Sequence, residues 1–147
     1  MNILVSACLL GVDCCWHGGN NKNKMLIARK DTYTFVPICP EQLGGLTTPR
    51  LPAEIRNQFV VTNDETDVTK AFEKGAAETL KLAQLYNCKY AILKSNSPSC
   101  GCGRIYDGSF TGTLIEGDGV TAKHLTENGI KVFTEDTIHL LFELLAV

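Results

Sequence analysis

Seven cysteines set the chemistry open to this 147-residue chain: Cys8, Cys14, Cys15, Cys39, Cys88, Cys100 and Cys102. Thiolates select zinc, copper(I) or iron–sulfur clusters, and a free thiolate is a nucleophile. The count is odd, and no basic segment precedes the apolar stretch at Met1–Ala7. Neither a disulfide framework nor a signal peptide is therefore expected, and the default compartment is a reducing cytoplasm. The spacing excludes the familiar local patterns. There is no pair of zinc knuckles, no ferredoxin-type run and no Cys-x-x-Cys; Cys100-Gly101-Cys102 is only a Cys-x-Cys. Any ligand set must come from loops far apart in sequence.

A fold has to gather them. Ile3-Leu4-Val5 reads as a buried strand that runs out at Cys8. Thr34–Cys39 reads as a second strand, weakened by Pro37, which cannot donate to a ladder. A short helix is expected over 24–30, a loop over 40–52 and a short strand over 58–62. The apolar stripe Val68, Ala71, Phe72, Gly75, Ala76, Leu80 and Ala83 predicts a helix over 68–86, with Asp67 as its cap. Tyr90–Lys94 follows as a strand, and Ile105–Phe110 as a hairpin turning at Asp107-Gly108. A helix over 120–127 ends at Asn128-Gly129, and Ile130–Phe133 is the last strand. Thr134 is expected to cap a final helix, with Glu135 and Asp136 in its first turn and 139–147 completing it. Strands alternating with helices predict one three-layer α/β domain over 1–147, its mainly parallel, Rossmann-like sheet flanked by helices.

Open parallel sheets bind ligands beyond the carboxyl ends of their strands. Cys8 follows the first strand, Cys39 ends the second, and Cys100 lies in the loop after Tyr90–Lys94. These three cysteines therefore fall on one edge of the sheet. Three thiolates on a four-iron cluster would leave one iron open, as a catalytic metal site requires. The competing reading treats them as small buried residues, since cysteine is among the most buried types. Glu41 lies beside Cys39, and Ser97 beside Cys100, in loops dense in Pro and Gly. A carboxylate and a hydroxyl next to a metal form an acid–base and positioning pair. Taken singly, each also reads as an ordinary loop residue. Fourteen basic and sixteen acidic residues give a net charge of -2, which speaks against electrostatic binding to nucleic acid. No apolar run approaches the roughly 20 residues of a membrane helix.

Five segments carry a resemblance: Ser6-Ala7-Cys8-Leu9-Leu10-Gly11, Pro37-Ile38-Cys39-Pro40-Glu41-Gln42-Leu43-Gly44-Gly45-Leu46, Pro49-Arg50, Pro52-Ala53-Glu54 and Ser97-Pro98-Ser99-Cys100-Gly101. Together they resemble the 2-thiouracil desulfidase family, a bacterial family long catalogued as a domain of unknown function. The resemblance implies an oxygen-sensitive [4Fe-4S] cluster held by Cys8, Cys39 and Cys100. It implies removal of sulfur from a thiocarbonyl, turning 2-thiouracil to uracil, with the open iron taking the substrate sulfur. Glu41 then stands where the family has a catalytic carboxylate, able to activate water, and Ser97 where it has a catalytic hydroxyl. The implied partner is a small thiolated base or nucleoside, with thiolated RNA fragments the only nucleic acid in question and no membrane.

The family commonly has Cys-Arg-Tyr-Asp-Gly after the first cysteine loop; here the segment is Cys14-Cys15-Trp16-His17-Gly18. A guanidinium and a carboxylate are thus replaced by Cys15 and His17, which bears on substrate choice. Two other readings stay open. One is a structural or redox module holding zinc or an iron–sulfur cluster, its fourth position filled by Cys14, Cys15 or Cys102. The other is a metal-free thiol protein that carries sulfur. Cys88 reads as a buried filler, and His124 and His139 as structural helix residues. Trp16 suits stacking on a planar base or packing of its loop. Lys94 and Arg104, flanking the Cys100 loop, suit an anion or a solvated surface.

Overall fold

The computed structural model describes residues 1–146; Val147, the expected end of the last helix, lies outside them. Four parallel strands form the central sheet: β1 (Asn2–Ser6), β2 (Thr34–Ile38), β5 (Tyr90–Leu93) and β8 (Lys131–Thr134), in the order β2-β1-β5-β8. β1 pairs with β2 in register Asn2↔Thr34 to Ser6↔Ile38, and β5 with β8 in register Tyr90↔Lys131 to Leu93↔Thr134. Pro37 is accommodated because β2 is an edge strand, where the missing donor leaves no neighbour unpaired. The chain steps to one side of β1 and later returns to the other, so the switch point lies between β1 and β5.

Side chains alternate across this sheet, and each face is covered by helices. Ile3, Val5 and Ile92 pack with Leu26 of α1 (Lys24–Ile27) and with Ile138, Leu141 and Phe142 of α5 (Ile138–Leu145). Leu4, Ala91 and Leu93 pack on the other face with Ala83 of α3 (Thr69–Leu85) and with Ala122 and Leu125 of α4 (Val120–Glu127). The three layers are thus those expected. α3 buries Phe72, Gly75, Ala76, Thr79 and Ala83, close to the predicted stripe. The cap position of α3 is Val68 rather than the expected Asp67, which sits one residue ahead of it and accepts the Thr69 N–H at 2.8 Å.

Four further local expectations need correction. The stretch 40–52 contains a helical turn, α2 (Pro40–Leu43), which Pro40 opens without loss because its missing N–H would be unpaired there. α2 sits backbone to backbone on α3: a Cβ on Gly44 would meet the Ala71 carbonyl oxygen at 2.0 Å, and one on Gly75 that of Pro40 at 1.9 Å. Second, the strand at 58–62 is β4 (Phe59–Thr62), paired antiparallel with the unexpected β3 (Ala53–Arg56) across Asn57 and Gln58, both at positive φ. Third, β6 (Arg104–Tyr106) and β7 (Leu114–Glu116) do pair, but the connection spans 107–113 rather than turning tightly at Asp107-Gly108. Fourth, Thr134 ends β8; the residue flanking α5 is Thr137, whose hydroxyl accepts the Thr134 N–H at 3.0 Å.

Candidate active site

Beyond the carboxyl ends of β1, β2 and β5 lies a cavity of about 500 Å³. Cys8, Cys39 and Cys100 all line it, and so do Glu41 and Ser97. Cys8 sits in the tight helical turn Ala7–Leu10 that continues β1. Cys39 occupies the position just ahead of α2, so Glu41 falls in the first turn of that helix. Cys100 is buried in the loop after β5. The sheet edge thus gathers the three thiols, Cys8 from the core of one face and Cys100 from that of the other.

The thiols differ in character. Cys39 is lowered from 9.0 to about 6, chiefly by a hydrogen bond from the Cys14 thiol, with help from the Gln42 N–H and the Arg50 guanidinium. Cys8 is lowered to about 7, again mainly by Cys14, with Asn21 contributing and burial opposing. Cys14, beside both, is itself pushed up, first by Cys39 and Cys8 and then by burial. Burial pushes Cys100 up to about 12, although the hydroxyls of Ser6 and Ser99 lie 3.4 and 3.6 Å from its sulfur. Cys15 is also raised to about 12, first by burial and then by the neighbouring Cys8; Asn21 Nδ2 donates to its sulfur at 3.0 Å.

Glu41 is held on both oxygens. Arg50 Nε donates to Oε1 at 3.0 Å and the Ser99 hydroxyl to Oε2 at 2.9 Å. Arg50 also donates to the Cys14 carbonyl at 2.9 Å and to Thr48 Oγ1 at 2.9 Å. Ser97 turns its hydroxyl inward on its own loop, accepting the N–H groups of Ser99 and Cys100 at 3.2 and 3.1 Å. Its oxygen also lies 3.0 Å from that of Ser99. Arg50 and Ser99 are therefore site residues that the cysteine-centred reading passed over. Both stood inside the motifs quoted, but nothing in the sequence showed that they converge on Glu41.

Cys15, Trp16 and His17 line the same cavity, so the segment that departs from the family pattern faces the site. Trp16 and His17 meet edge to face, with ring centroids 5.2 Å apart. Lys94 also lines the cavity but is paired with Glu135 at 2.7 Å, so its charge is not free for an anion. Arg104 is exposed on β6 and Cys102 is exposed, and neither borders the cavity. Cys88 is buried in the core, as expected of a filler, and His139 is exposed.

The donor set suits a cluster. Three soft thiols from separate loops border a cavity with room beside them, and two are poised to ionise near neutral pH. Among the described residues, no three His, Cys, Asp or Glu side chains stand close enough to hold a single metal ion. No described helix is long and apolar enough to cross a membrane.

A parallel α/β domain with cysteines, an Arg-bound glutamate and serines around one sheet-edge cavity has the build of a thiol-lined enzyme site. The chain belongs to the 2-thiouracil desulfurase family, which matches residues 3–137, and is accordingly an enzyme of C–S bond cleavage. A solved structure titled [4Fe-4S]-dependent thiouracil desulfidase TudS is 41% identical, with a TM-score of 0.93, covering 99% of this chain and 97% of that one. The uncharacterized protein YbbK of Bacillus subtilis (strain 168) is 42% identical over 93% of this chain and 97% of its own length.

Proposed function

We propose that the protein is an iron–sulfur-dependent desulfidase of thiolated nucleobases, with Cys8, Cys39 and Cys100 holding a [4Fe-4S] cluster. The observation that carries this reading is the convergence of those three thiols with Glu41 on one cavity at the sheet's switch point. Once bound, the cluster would supply a soft Lewis acid that draws electrons from a C=S carbon. Cys39, already lowered by Cys14, Gln42 and Arg50, is prepared to ligate as a thiolate, and so is Cys8. Cys100, pushed up by its burial, would become a thiolate ligand as a metal binds and compensates its charge.

Glu41 is the base in this proposal. Arg50 and Ser99 fix its carboxylate at the cavity wall, where it takes a proton from the water that attacks the C=S carbon. Ser97 holds the Cys100 loop through two backbone N–H groups, and its hydroxyl lies close enough to Ser99 to pass polarity to Glu41. The cavity's aromatic members, Trp16, Tyr106 and Phe110, suit a planar ring. Carbon–sulfur exchange with water leaves a carbonyl and hydrosulfide, with no net redox change.

A direct test is to incubate anaerobically prepared protein with 2-thiouracil and follow loss of the thione absorbance and appearance of uracil. Stoichiometric uracil and sulfide are expected; unchanged 2-thiouracil would reject it as a substrate. One observation favours a second reading. The Cys14 thiol borders the same cavity and is the main influence lowering both Cys8 and Cys39, so a fourth thiol is at hand for a closed redox or structural centre. Cys14→Ala separates the two: a desulfidase keeps its iron, whereas a closed four-cysteine centre loses it.

A further inference from the structure

Glu54 lies in β3, remote in sequence from every cysteine, and lines the same cavity. It is buried, with 9% of its surface exposed, and forms no ion pair with any described residue. One oxygen is fully used: Oε1 accepts the Gly108 N–H at 3.0 Å and the Phe110 N–H at 3.1 Å. That contact explains the wide 107–113 connection, and it needs glycine, since a Cβ at Gly108 would meet the Ile55 carbonyl oxygen at 2.7 Å. The other oxygen, Oε2, receives no hydrogen bond from a described residue. Nor is it sealed in protein: the one fully buried side-chain polar atom without a partner among the described residues is Thr121 Oγ1. Oε2 therefore keeps accessible surface on a residue that lines the cavity.

The contrast with Glu41 is informative. Both oxygens of Glu41 are taken by Arg50 and Ser99, whereas Glu54 is fixed by one oxygen and keeps an acceptor free. A mostly buried acceptor without a partner is costly unless a ligand supplies the donor. Two backbone N–H groups hold this one in place beforehand, so little order remains to be imposed when a ligand arrives. A thiolated pyrimidine base carries ring N–H groups on the atoms flanking its thiocarbonyl carbon. We infer that Glu54 Oε2 accepts one of these N–H groups and so sets which edge of the base faces the cysteine wall. This inference rests on the desulfidase reading and adds a specificity-determining residue to it.

The test compares 2-thiouracil with its N1-methyl and N3-methyl derivatives, anaerobically, in the natural protein and in Glu54→Gln. In the natural protein, methylation at one of the two nitrogens should lower kcat/KM by about 100-fold, the cost of a lost hydrogen bond to a charged group. Glu54→Gln should lose most of that discrimination, raise KM more than it lowers kcat, and weaken calorimetric binding of uracil in parallel. Gln retains an oxygen for Gly108 and Phe110, and the thermal midpoint and visible spectrum check that the variant is folded and loaded. Undiminished discrimination and uracil affinity in folded Glu54→Gln would overturn the role of Glu54 alone. If the variant does not fold, natural protein that accepts both methylated bases as well as the parent overturns it. If the natural protein desulfidates none of the three bases, the parent reading falls and takes this inference with it.

Discussion

Arg50 and Glu41 form an ion pair at 3.0 Å, with only 8% and 15% of their side chains exposed. The same guanidinium reaches the Cys14 carbonyl, and the Arg50 N–H donates to the Trp16 carbonyl at 2.8 Å. One residue thereby ties the carboxylate of α2 to the loop that carries Cys14 and Trp16. Removing Arg50 leaves a largely buried carboxylate unpaired. Arg50→Ala should cost about 3 kcal/mol in chemical denaturation. Arg50→Lys should recover little of it, because an ammonium cannot serve Glu41, Thr48 and Cys14 through one planar fork.

Glu41→Gln tests the base directly. The amide can still accept from Arg50 or Ser99 but cannot take a proton. Turnover of a thiolated base should fall on the order of 100- to 10,000-fold while the visible absorbance of the loaded protein stays unchanged. Near-normal turnover in steady-state assays would remove Glu41 from the reaction.

Ser97 and Ser99 should separate on mutation. Ser97→Ala leaves the N–H groups of Ser99 and Cys100 without their acceptor, costing about 1 kcal/mol and speeding iron loss to a chelator. Ser99→Ala removes the donor to Glu41 Oε2 and should lower kcat about tenfold while iron loss to a chelator stays as in the natural protein. Denaturation, chelator challenge and steady-state rates on both variants read the difference.

Glu135 gives an acid-side prediction away from the cysteines. Burial alone would raise its carboxyl above 4.5, but Lys94 and the Ser95 N–H outweigh that and hold it below. A carboxyl lowered by folding stabilises the protein above its unfolded value, and the benefit is lost as pH falls through the folded value. Glu135→Gln should therefore cost about 1.5 kcal/mol at pH 7. The gap from the natural protein should close below about pH 4.5 in denaturation series across pH.

Much of this was legible in the chain. The strands at Asn2–Ser6, Thr34–Ile38, Tyr90–Leu93 and Lys131–Thr134 announced themselves as apolar runs because a sheet covered on both faces demands them. Their order placed Cys8, Cys39 and Cys100 on one edge. The region 40–56 was opaque for a physical reason. α2 is a single turn that owes its place to the Gly44–Gly75 approach, a tertiary contact without local periodicity. β3 exists by pairing with β4 across Asn57-Gln58, and Gln is not a residue that signals positive φ. The partners of Glu41 and Glu54 were equally hidden, since hydrogen bonds such as Ser99–Glu41 and Gly108–Glu54 join segments more than fifty residues apart.

The central claim is that three cysteines hold a cluster at the sheet edge with one coordination position left open. Iron and acid-labile sulfide should be quantified per chain in protein prepared without oxygen, for the natural sequence and for Cys8→Ala, Cys39→Ala, Cys100→Ala and Cys14→Ala. About four of each in the natural protein and in Cys14→Ala, with loss in the other three, is the expected result. Zinc, no metal at all, or iron that survives loss of Cys8, Cys39 or Cys100 would contradict it.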